Sequence, residues 1–254
     1  MAEIKLIASD YDGTLNRHGI SERVRNAIEA WRAAGNLFGI VSGRGIYNIA
    51  AVLANDGLDC DFLIGNNGAV VGNGKGEVLL YTTEKAPLGR EIAAFVMARG
   101  GRQASVNYFG GEYLVVDGAR KARHADDERY KTLDHYEERD FTQISTYCDS
   151  IVEATLLCDL INETFGERVT ALLNGVCIDI VPKGIDKAEG IRRLCGLWEI
   201  SENAVCTVGD NYNDVAMLKA FRSYAVSNAV DYVKQIASAV VEDIAELCEK
   251  ENAQ

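Results

Sequence analysis

Two carboxylates two residues apart follow a short apolar segment near the start of the chain, in the stretch Asp10–Leu15 (Asp-Tyr-Asp-Gly-Thr-Leu). The preceding residues, Ile4 to Ser9, have the apolar composition of a strand in a buried parallel sheet. On an extended segment residues i and i+2 point to the same side, so Asp10 and Asp12 place two like charges where the strand ends. This is unfavourable unless a cation lies between them, and Mg²⁺, a hard ion that prefers oxygen ligands, meets that need.

Asp-x-Asp-Gly also occurs in surface turns and in calcium-binding loops. The calcium loop does not fit, because Thr14 and Leu15 follow the acids and Ser21 stands where the closing acid is expected. A surface turn remains an alternative for this segment taken alone.

Three later segments carry polar side chains at comparable positions, after an apolar run or at the start of a helix-like stretch. They are Val41–Arg44 (Val-Ser-Gly-Arg), Lys183–Lys187 (Lys-Gly-Ile-Asp-Lys) and Gly209–Asp214 (Gly-Asp-Asn-Tyr-Asn-Asp). Ligands of doubly wound sheets bind at the carboxyl ends of the strands. We therefore expect the four segments to converge on one cleft.

The formal net charge of −12 argues against a nucleic-acid partner, which favours a basic surface. An anionic substrate would need a locally positive site, which gives weight to Arg44, Lys187 and a metal ion. No apolar run approaches membrane-spanning length and the first residues do not resemble a signal peptide, so we expect no membrane contact. Seven cysteines without a Cys-x-x-Cys pair favour free thiols and a cytoplasmic location.

Alternating strand and helix patterns at both ends of the chain predict an α/β fold with a doubly wound parallel sheet. The middle contains hairpin signals instead, the strongest at Asn174-Gly175, and is typical of an α+β unit. The charged run 120–140 is interpreted as a solvated helix or loop. The predicted organisation is a core of residues 1–82 and 183–254, interrupted by an inserted domain at 83–182.

In order and residue types the four segments resemble those of the haloacid dehalogenase-like hydrolase superfamily. The chain looks most like its Cof-type branch (subfamily IIB) of sugar-phosphate and small-metabolite phosphatases. The resemblance covers nearly the whole chain and implies a Rossmann-like core with a large α/β cap inserted after the third core strand. It implies an Mg²⁺ cofactor, a small phosphomonoester as substrate and hydrolysis through an aspartyl-phosphate.

The resemblance also assigns roles to the acidic residues and one lysine. Asp10 matches the nucleophile, and Asp12 the acid/base that serves the leaving alcohol and then the attacking water. The metal ion would be held by the carboxylates of Asp10 and Asp210 and by the main-chain carbonyl of Asp12. Lys187, preferred over Lys183 because the family motif places its lysine at the helix start, would neutralise the phosphate and Asp10.

Substrate binding is expected at Ser42 and the Gly43 amide, with Arg44 as a further substrate or phosphate contact. For Arg44 a surface salt bridge is the alternative. Asn213 matches a position that orients the phosphate or the nucleophile, and Asp214 one near the metal, although Asn-Asp is also good helix-capping chemistry.

Two other functions remain as alternatives. A phosphomutase of the same superfamily would use the same residues, with its cap holding a bisphosphate intermediate. A catalytically silent protein that senses a phosphate ligand is disfavoured by the presence of all four of Asp10, Asp12, Lys187 and Asp210.

Overall fold

The computed structural model describes residues 4–253. The chain divides into two compact units. The first unit extends to Leu80 and resumes at Asp186, and the second is the continuous segment Tyr81–Ile185. The expected boundaries at 82/83 and 182/183 lie two or three residues from these positions, and the role of the second unit as a cap stays a prediction.

Within residues 4–253, the first unit is built on one eight-stranded sheet. In spatial order its strands are β14 (Ala239–Val241), β13 (Arg222–Val226), β12 (Val205–Gly209), β1 (Leu6–Ser9), β2 (Leu37–Val41), β3 (Phe62–Gly65), β4 (Val70–Asn73) and β5 (Val78–Tyr81), numbered along the whole chain. From β14 to β3 neighbouring strands are parallel, and β4 runs antiparallel to β3. The strand order reverses beside β1, which places the end of β1 at a topological switch point.

Helices connect, lead into or follow the parallel strands of this sheet. They are α1 (Glu22–Ala33), α2 (Ile46–Asp56), α6 (Lys187–Trp198), α7 (Val215–Ala220), α8 (Asp231–Ile236) and α9 (Ile244–Asn252). Asp186 begins α6 as its N-cap, because its side chain accepts a hydrogen bond from the backbone N–H of Glu189. The cap fixes the start of the helix at Lys187.

The second unit contains a six-stranded sheet, counted over the described residues. Its strands, in spatial order, are β10 (Val169–Asn174), β11 (Cys177–Pro182), β9 (Phe141–Tyr147), β6 (Ala104–Tyr108), β7 (Gly111–Val115) and β8 (Tyr130–Lys131). The helices are α3 (Ala86–Met97), α4 (Gly118–Arg123) and α5 (Ile151–Phe165). Apolar residues of α3 and α5 form one buried cluster with alternate residues of the strands.

The α/β fold class and the doubly wound parallel sheet are confirmed. The sequence pattern did not predict β9, β14 or the short β8. Strand β8 lies inside the charged run 120–140, interpreted as a helix or loop, and it pairs in parallel with β7. In the hairpin of β10 and β11, Asn174 pairs with Cys177, so the connecting residues are Gly175-Val176 rather than Asn174-Gly175.

Candidate active site

Three neighbouring parallel strands end at the same edge of the first sheet, and each is followed by a polar side chain. Asp10 follows β1, Ser42 follows β2 and Asp210 follows β12. The register pairs Ser9 with Ile40 on one side and with Val208 on the other. The N–H of Asp10 extends this pairing by donating to the Val208 carbonyl at 3.0 Å. Sheet geometry alone therefore brings together segments that are some 200 residues apart in the chain.

Lys187 joins two of the acidic residues at this edge. Its Nζ donates to Asp10 Oδ1 at 2.6 Å and to Asp214 Oδ1 at 2.5 Å. The side chains of Lys187 and Asp214 are fully buried, and that of Asp10 is 6% exposed. Burial would lower the pKa of Lys187, but the two carboxylates outweigh it and raise that pKa above its ordinary value.

Asp214 also fixes the loop that carries Asp210. Its Oδ2 accepts hydrogen bonds from the backbone N–H groups of Asp210 at 2.9 Å and Asn211 at 3.1 Å. One carboxylate thus connects the Lys187 ammonium to the loop that carries Asp210. The capping interpretation is correct in part, since Asn211 and Asp214 form a reciprocal capping box around the 3₁₀ turn Tyr212–Asp214.

Asp210 is held from the opposite side by the turn that follows Asp12. Thr14 Oγ1 donates to Asp210 Oδ1 at 2.7 Å. Gly13, at φ +82°, lies so close that a Cβ there would come within 2.5 Å of Asp210 Oδ2. Only glycine can adopt this positive φ and also lie this close to the Asp210 carboxylate. Gly13 and Thr14 therefore set the distance between the segment that begins at Asp10 and the segment that carries Asp210.

The cluster has the composition of a site for a hard divalent ion. Single oxygen atoms of Asp10, Asp210 and Asp214 all lie within 4.8 Å of one another. With all three carboxylates ionised, the one ammonium of Lys187 leaves two negative charges uncompensated, which Mg²⁺ matches. Burial, together with the neighbouring Asp214, raises the pKa of Asp10 despite Lys187, and burial likewise raises the pKa of Asp210.

Asp12 lies apart from this buried cluster and is paired with Arg44. Arg44 Nε and Nη2 donate to the two carboxylate oxygens of Asp12 at 2.6 and 2.7 Å. Both side chains are substantially exposed. The salt bridge that the sequence left as an alternative for Arg44 therefore exists, and its partner is the expected acid/base.

Ser42 and Gly43 lie in the connection from β2 to α2. Ser42 is buried, and its Oγ accepts a hydrogen bond from the Arg44 N–H at 3.1 Å. The loop after β3 supports this connection, because Asn66 N–H donates to the Arg44 carbonyl at 2.8 Å and Asn67 N–H to the Ser42 carbonyl at 3.0 Å. Asn66 and Asn67 both have positive φ, at 52° and 50°, a strained conformation found often at functional sites.

Of the other residues considered from the sequence, Asn213 lies next to the buried cluster and Lys183 lies at the surface. Asn213 is half-buried in the 3₁₀ turn, one residue before Asp214. Lys183, the competing lysine, is exposed. Thr14 was not singled out from the sequence, although its position directly after Asp-x-Asp-Gly could have indicated it.

Residues 7–246 match the family model for haloacid dehalogenase-like hydrolases. The chain therefore belongs to this family, and the resemblance seen in the motifs is confirmed. It is an enzyme, a phosphatase that hydrolyses phosphoric monoesters.

Among curated proteins, the chain is 27% identical over 239 residues to the 5-amino-6-(5-phospho-D-ribitylamino)uracil phosphatase YbjI of Escherichia coli strain K12, covering 89% of this chain and 86% of the relative. Solved structures share the fold. A haloacid dehalogenase-like hydrolase from B. subtilis superposes with a TM-score of 0.82 at 19% identity, covering 98% of this chain and 99% of that one. A subclass IIB sugar phosphatase gives 0.79 at 22% identity and 98% coverage of both chains.

The buried lysine leads to a stability prediction. Replacing Lys187 with methionine removes the only side-chain ion pair described for Asp10 and Asp214 and leaves two carboxylates buried together. We expect Lys187→Met to lower the free energy of unfolding by about 3–5 kcal/mol at neutral pH. Urea denaturation followed by circular dichroism measures the change. The exposed Lys183→Met is the matched control, and a loss below about 1 kcal/mol for Lys187→Met would show that the pair is not needed for stability.

Proposed function

We propose that the protein is a Mg²⁺-dependent phosphatase of small phosphorylated metabolites that works through an aspartyl-phosphate on Asp10. The observation that carries the proposal is Lys187 held between Asp10 and Asp214, with Asp210 beside them. A buried ammonium and a divalent ion together would allow an anionic carboxylate to meet an anionic phosphate in a protein of net charge −12.

In the first step an Asp10 oxygen forms a bond to phosphorus while the bond from phosphorus to the leaving-group oxygen breaks. Asp12 gives its proton to that oxygen, so the leaving group departs as an alcohol. In the second step a water oxygen attacks phosphorus, its proton passes to Asp12, and the bond to Asp10 breaks. Over the two steps the products are the alcohol and inorganic phosphate, and the enzyme is regenerated with Asp10 as a carboxylate and Asp12 protonated.

The other residues hold the phosphate and the ion. Ser42 Oγ and the Gly43 N–H would donate to phosphate oxygens at the end of β2, with Asn213 and Lys187 on the other side. Mg²⁺ would be held by the carboxylates of Asp10 and Asp210 and by the main-chain carbonyl of Asp12. When bound, the ion supplies positive charge that offsets the repulsion between nucleophile and substrate.

The substrate class is inferred from the relatives. Their names describe phosphatases of a phosphoribitylamino compound and of sugar phosphates, which are small polyhydroxylated phosphate esters. We propose substrates of this kind and a cytoplasmic location. All seven cysteines are free thiols, which agrees with a reducing compartment. Among helices within residues 4–253, none has the length and apolar character needed to span a bilayer.

The nucleophile is tested by Asp10→Asn, which keeps the size of the side chain but removes its nucleophilic charge. We expect turnover of p-nitrophenyl phosphate and of a phosphometabolite panel to fall by at least about a hundredfold, or ~2.7 kcal/mol of barrier. The exposed Asp59→Asn should be unaffected. Activity of Asp10→Asn within about tenfold of the wild type would remove Asp10 from this role. Isomerised product without free phosphate would instead identify a mutase.

Metal dependence is tested by chelation. We expect EDTA to abolish activity and Mg²⁺ to restore it, with no specific need for Zn²⁺, because the donor set is all oxygen. Ca²⁺ should bind and inhibit through its wider coordination. Asp210→Asn should raise the Mg²⁺ concentration for half-maximal activity by about tenfold or more, about 1.4 kcal/mol in binding. Full activity of a verified metal-free preparation would contradict the assignment.

We propose that the second unit selects among phosphate esters. One face of its sheet carries hydrogen-bonded polar side chains, with Ser145 Oγ donating to Asp179 Oδ1 at 2.7 Å and Gln143 Nε2 to Ser145 Oγ at 2.9 Å. Such side chains suit hydroxyl-rich leaving groups. Replacing 81–185 with a short Gly/Ser linker should leave Mg²⁺-dependent hydrolysis of p-nitrophenyl phosphate but flatten the ranking of metabolites. An unchanged ranking in an active, folded product would locate selectivity in the first unit.

A further inference from the structure

Arg44 and Asp12 form a bidentate ion pair, as Arg129 and Asp127 do elsewhere in the chain, but here the carboxylate belongs to the expected acid/base. Two guanidinium nitrogens of Arg44, Nε and Nη2, each donate to a different carboxylate oxygen of Asp12, at 2.6 and 2.7 Å. Hydrogen bonding to Asp12 is the main reason that the pKa of Arg44 is raised. Bidentate pairs fix orientation as well as charge, because both partners are planar.

Arg44 itself is held at several points. Its third guanidinium nitrogen, Nη1, donates to Asn48 Oδ1 at 3.2 Å, on the first turn of α2. Its backbone N–H donates to Ser42 Oγ and its carbonyl accepts from the Asn66 N–H. Each of the three guanidinium nitrogens therefore has an acceptor before any substrate arrives.

Tyr11 provides a fixed surface beneath this pair. Its hydroxyl donates to Asp56 Oδ2 at 2.6 Å and accepts from Asn16 Nδ2 at 2.8 Å, and the residue is 1% exposed. The Arg44 guanidinium lies over the Tyr11 ring, 5.7 Å from its centroid. Because Tyr11 stands between Asp10 and Asp12 in the chain, this contact ties the guanidinium to the backbone that carries both aspartates.

We propose that Arg44 is a positioning residue that orients Asp12 for proton transfer, and that it does not act chiefly as a direct phosphate ligand. The inference rests on the proposed function. It assigns the two cationic side chains of the site to different carboxylates. Lys187 serves the buried Asp10 and Asp214, whereas Arg44 serves Asp12. A phosphate taken on the Nε–Nη2 edge of Arg44 would have to displace the carboxylate that the chemistry needs.

Orientation matters because Asp12 must act on two different atoms in turn. Its proton goes to the leaving-group oxygen as the bond from that oxygen to phosphorus breaks, and it later accepts a proton from the attacking water. In both steps the carboxylate must point at the reacting oxygen, and a misplacement of about 1 Å can cost on the order of a hundredfold in rate. The guanidinium also stabilises the negative charge that develops on Asp12 as the first proton leaves.

Leaving groups of different basicity separate positioning from phosphate binding. A p-nitrophenolate leaves without protonation, whereas the alkoxide of β-glycerol phosphate needs a proton from Asp12. We expect Arg44→Ala to lower kcat/KM for β-glycerol phosphate by about thirtyfold, which is part of the 10²–10⁴-fold that general acids typically contribute. For p-nitrophenyl phosphate we expect a loss of less than about threefold. Asp12→Asn should likewise lower kcat/KM for β-glycerol phosphate far more than for p-nitrophenyl phosphate. In the double variant, adding Arg44→Ala to Asp12→Asn should lower kcat/KM for β-glycerol phosphate by less than about a further threefold.

Two further variants keep the test independent of folding defects. Arg44→Lys retains the charge but not the fork, so it should fail to restore the alkyl ester rate, and Asn48→Ala should show a weaker form of the same asymmetry. Arg23→Ala, which breaks an exposed ion pair with Asp243 in the same unit, should leave both rates unchanged. Thermal melts confirm folding.

Equal losses on both esters, full rescue by lysine, or additive effects of Arg44→Ala and Asp12→Asn would each identify Arg44 as a phosphate ligand and overturn the positioning role. Unchanged rates in Arg44→Ala would overturn it as well. A wild-type protein inactive on every ester with Mg²⁺ present would be a failure of the proposed phosphatase function, which is a different result.

Discussion

The buried ammonium of Lys187 between Asp10 and Asp214 is the interaction on which the rest of the site depends. Removing three charged groups from water is costly, and their mutual attraction offsets that cost only when the hydrogen bonds are short and complete. Here Asp214 uses its second oxygen on two backbone N–H groups, so both its oxygens are bound. The three groups, Asp10, Lys187 and Asp214, therefore come together only when β1, α6 and the loop after β12 are all in place. The register of the sheet aligns β1 with β12.

The start of α6 is located by close backbone packing as well as by charge. Gly68 has φ +104°, and a Cβ at this position would lie 2.0 Å from the Asp186 carbonyl oxygen. The same loop supports the Ser42 and Arg44 carbonyls through Asn66 and Asn67. A turn with three consecutive positive φ values after β3 thus supports both the connection that carries Ser42 and the start of the helix that carries Lys187.

The sequence predicted the parts of this arrangement that depend on local pattern. Apolar runs before Asp10, Ser42 and Asp210 predicted strands, and parallel strands bring the residues at their carboxyl ends to one edge of the sheet. It missed β9, because Thr142, Gln143 and Thr146 are buried polar residues that obscure the period of a core strand. It also missed the bidentate contact between Arg44 and Asp12, since that pairing depends on the relative positions of two loops and on the Tyr11 ring, which no spacing encodes.

The division of cations also bears on how an acidic protein handles an anionic substrate. With Arg44 neutralising Asp12 and Lys187 paired with Asp10 and Asp214, ionised carboxylates at Asp10, Asp210 and Asp214 would leave two negative charges uncompensated before an ion binds. A phosphate dianion would be repelled from such a site, whereas a divalent ion would be attracted to it. The charge balance therefore favours an order in which Mg²⁺ binds first and the ester second. A bound Mg²⁺ would then be part of the binding site for substrate as well as an aid to the chemical step.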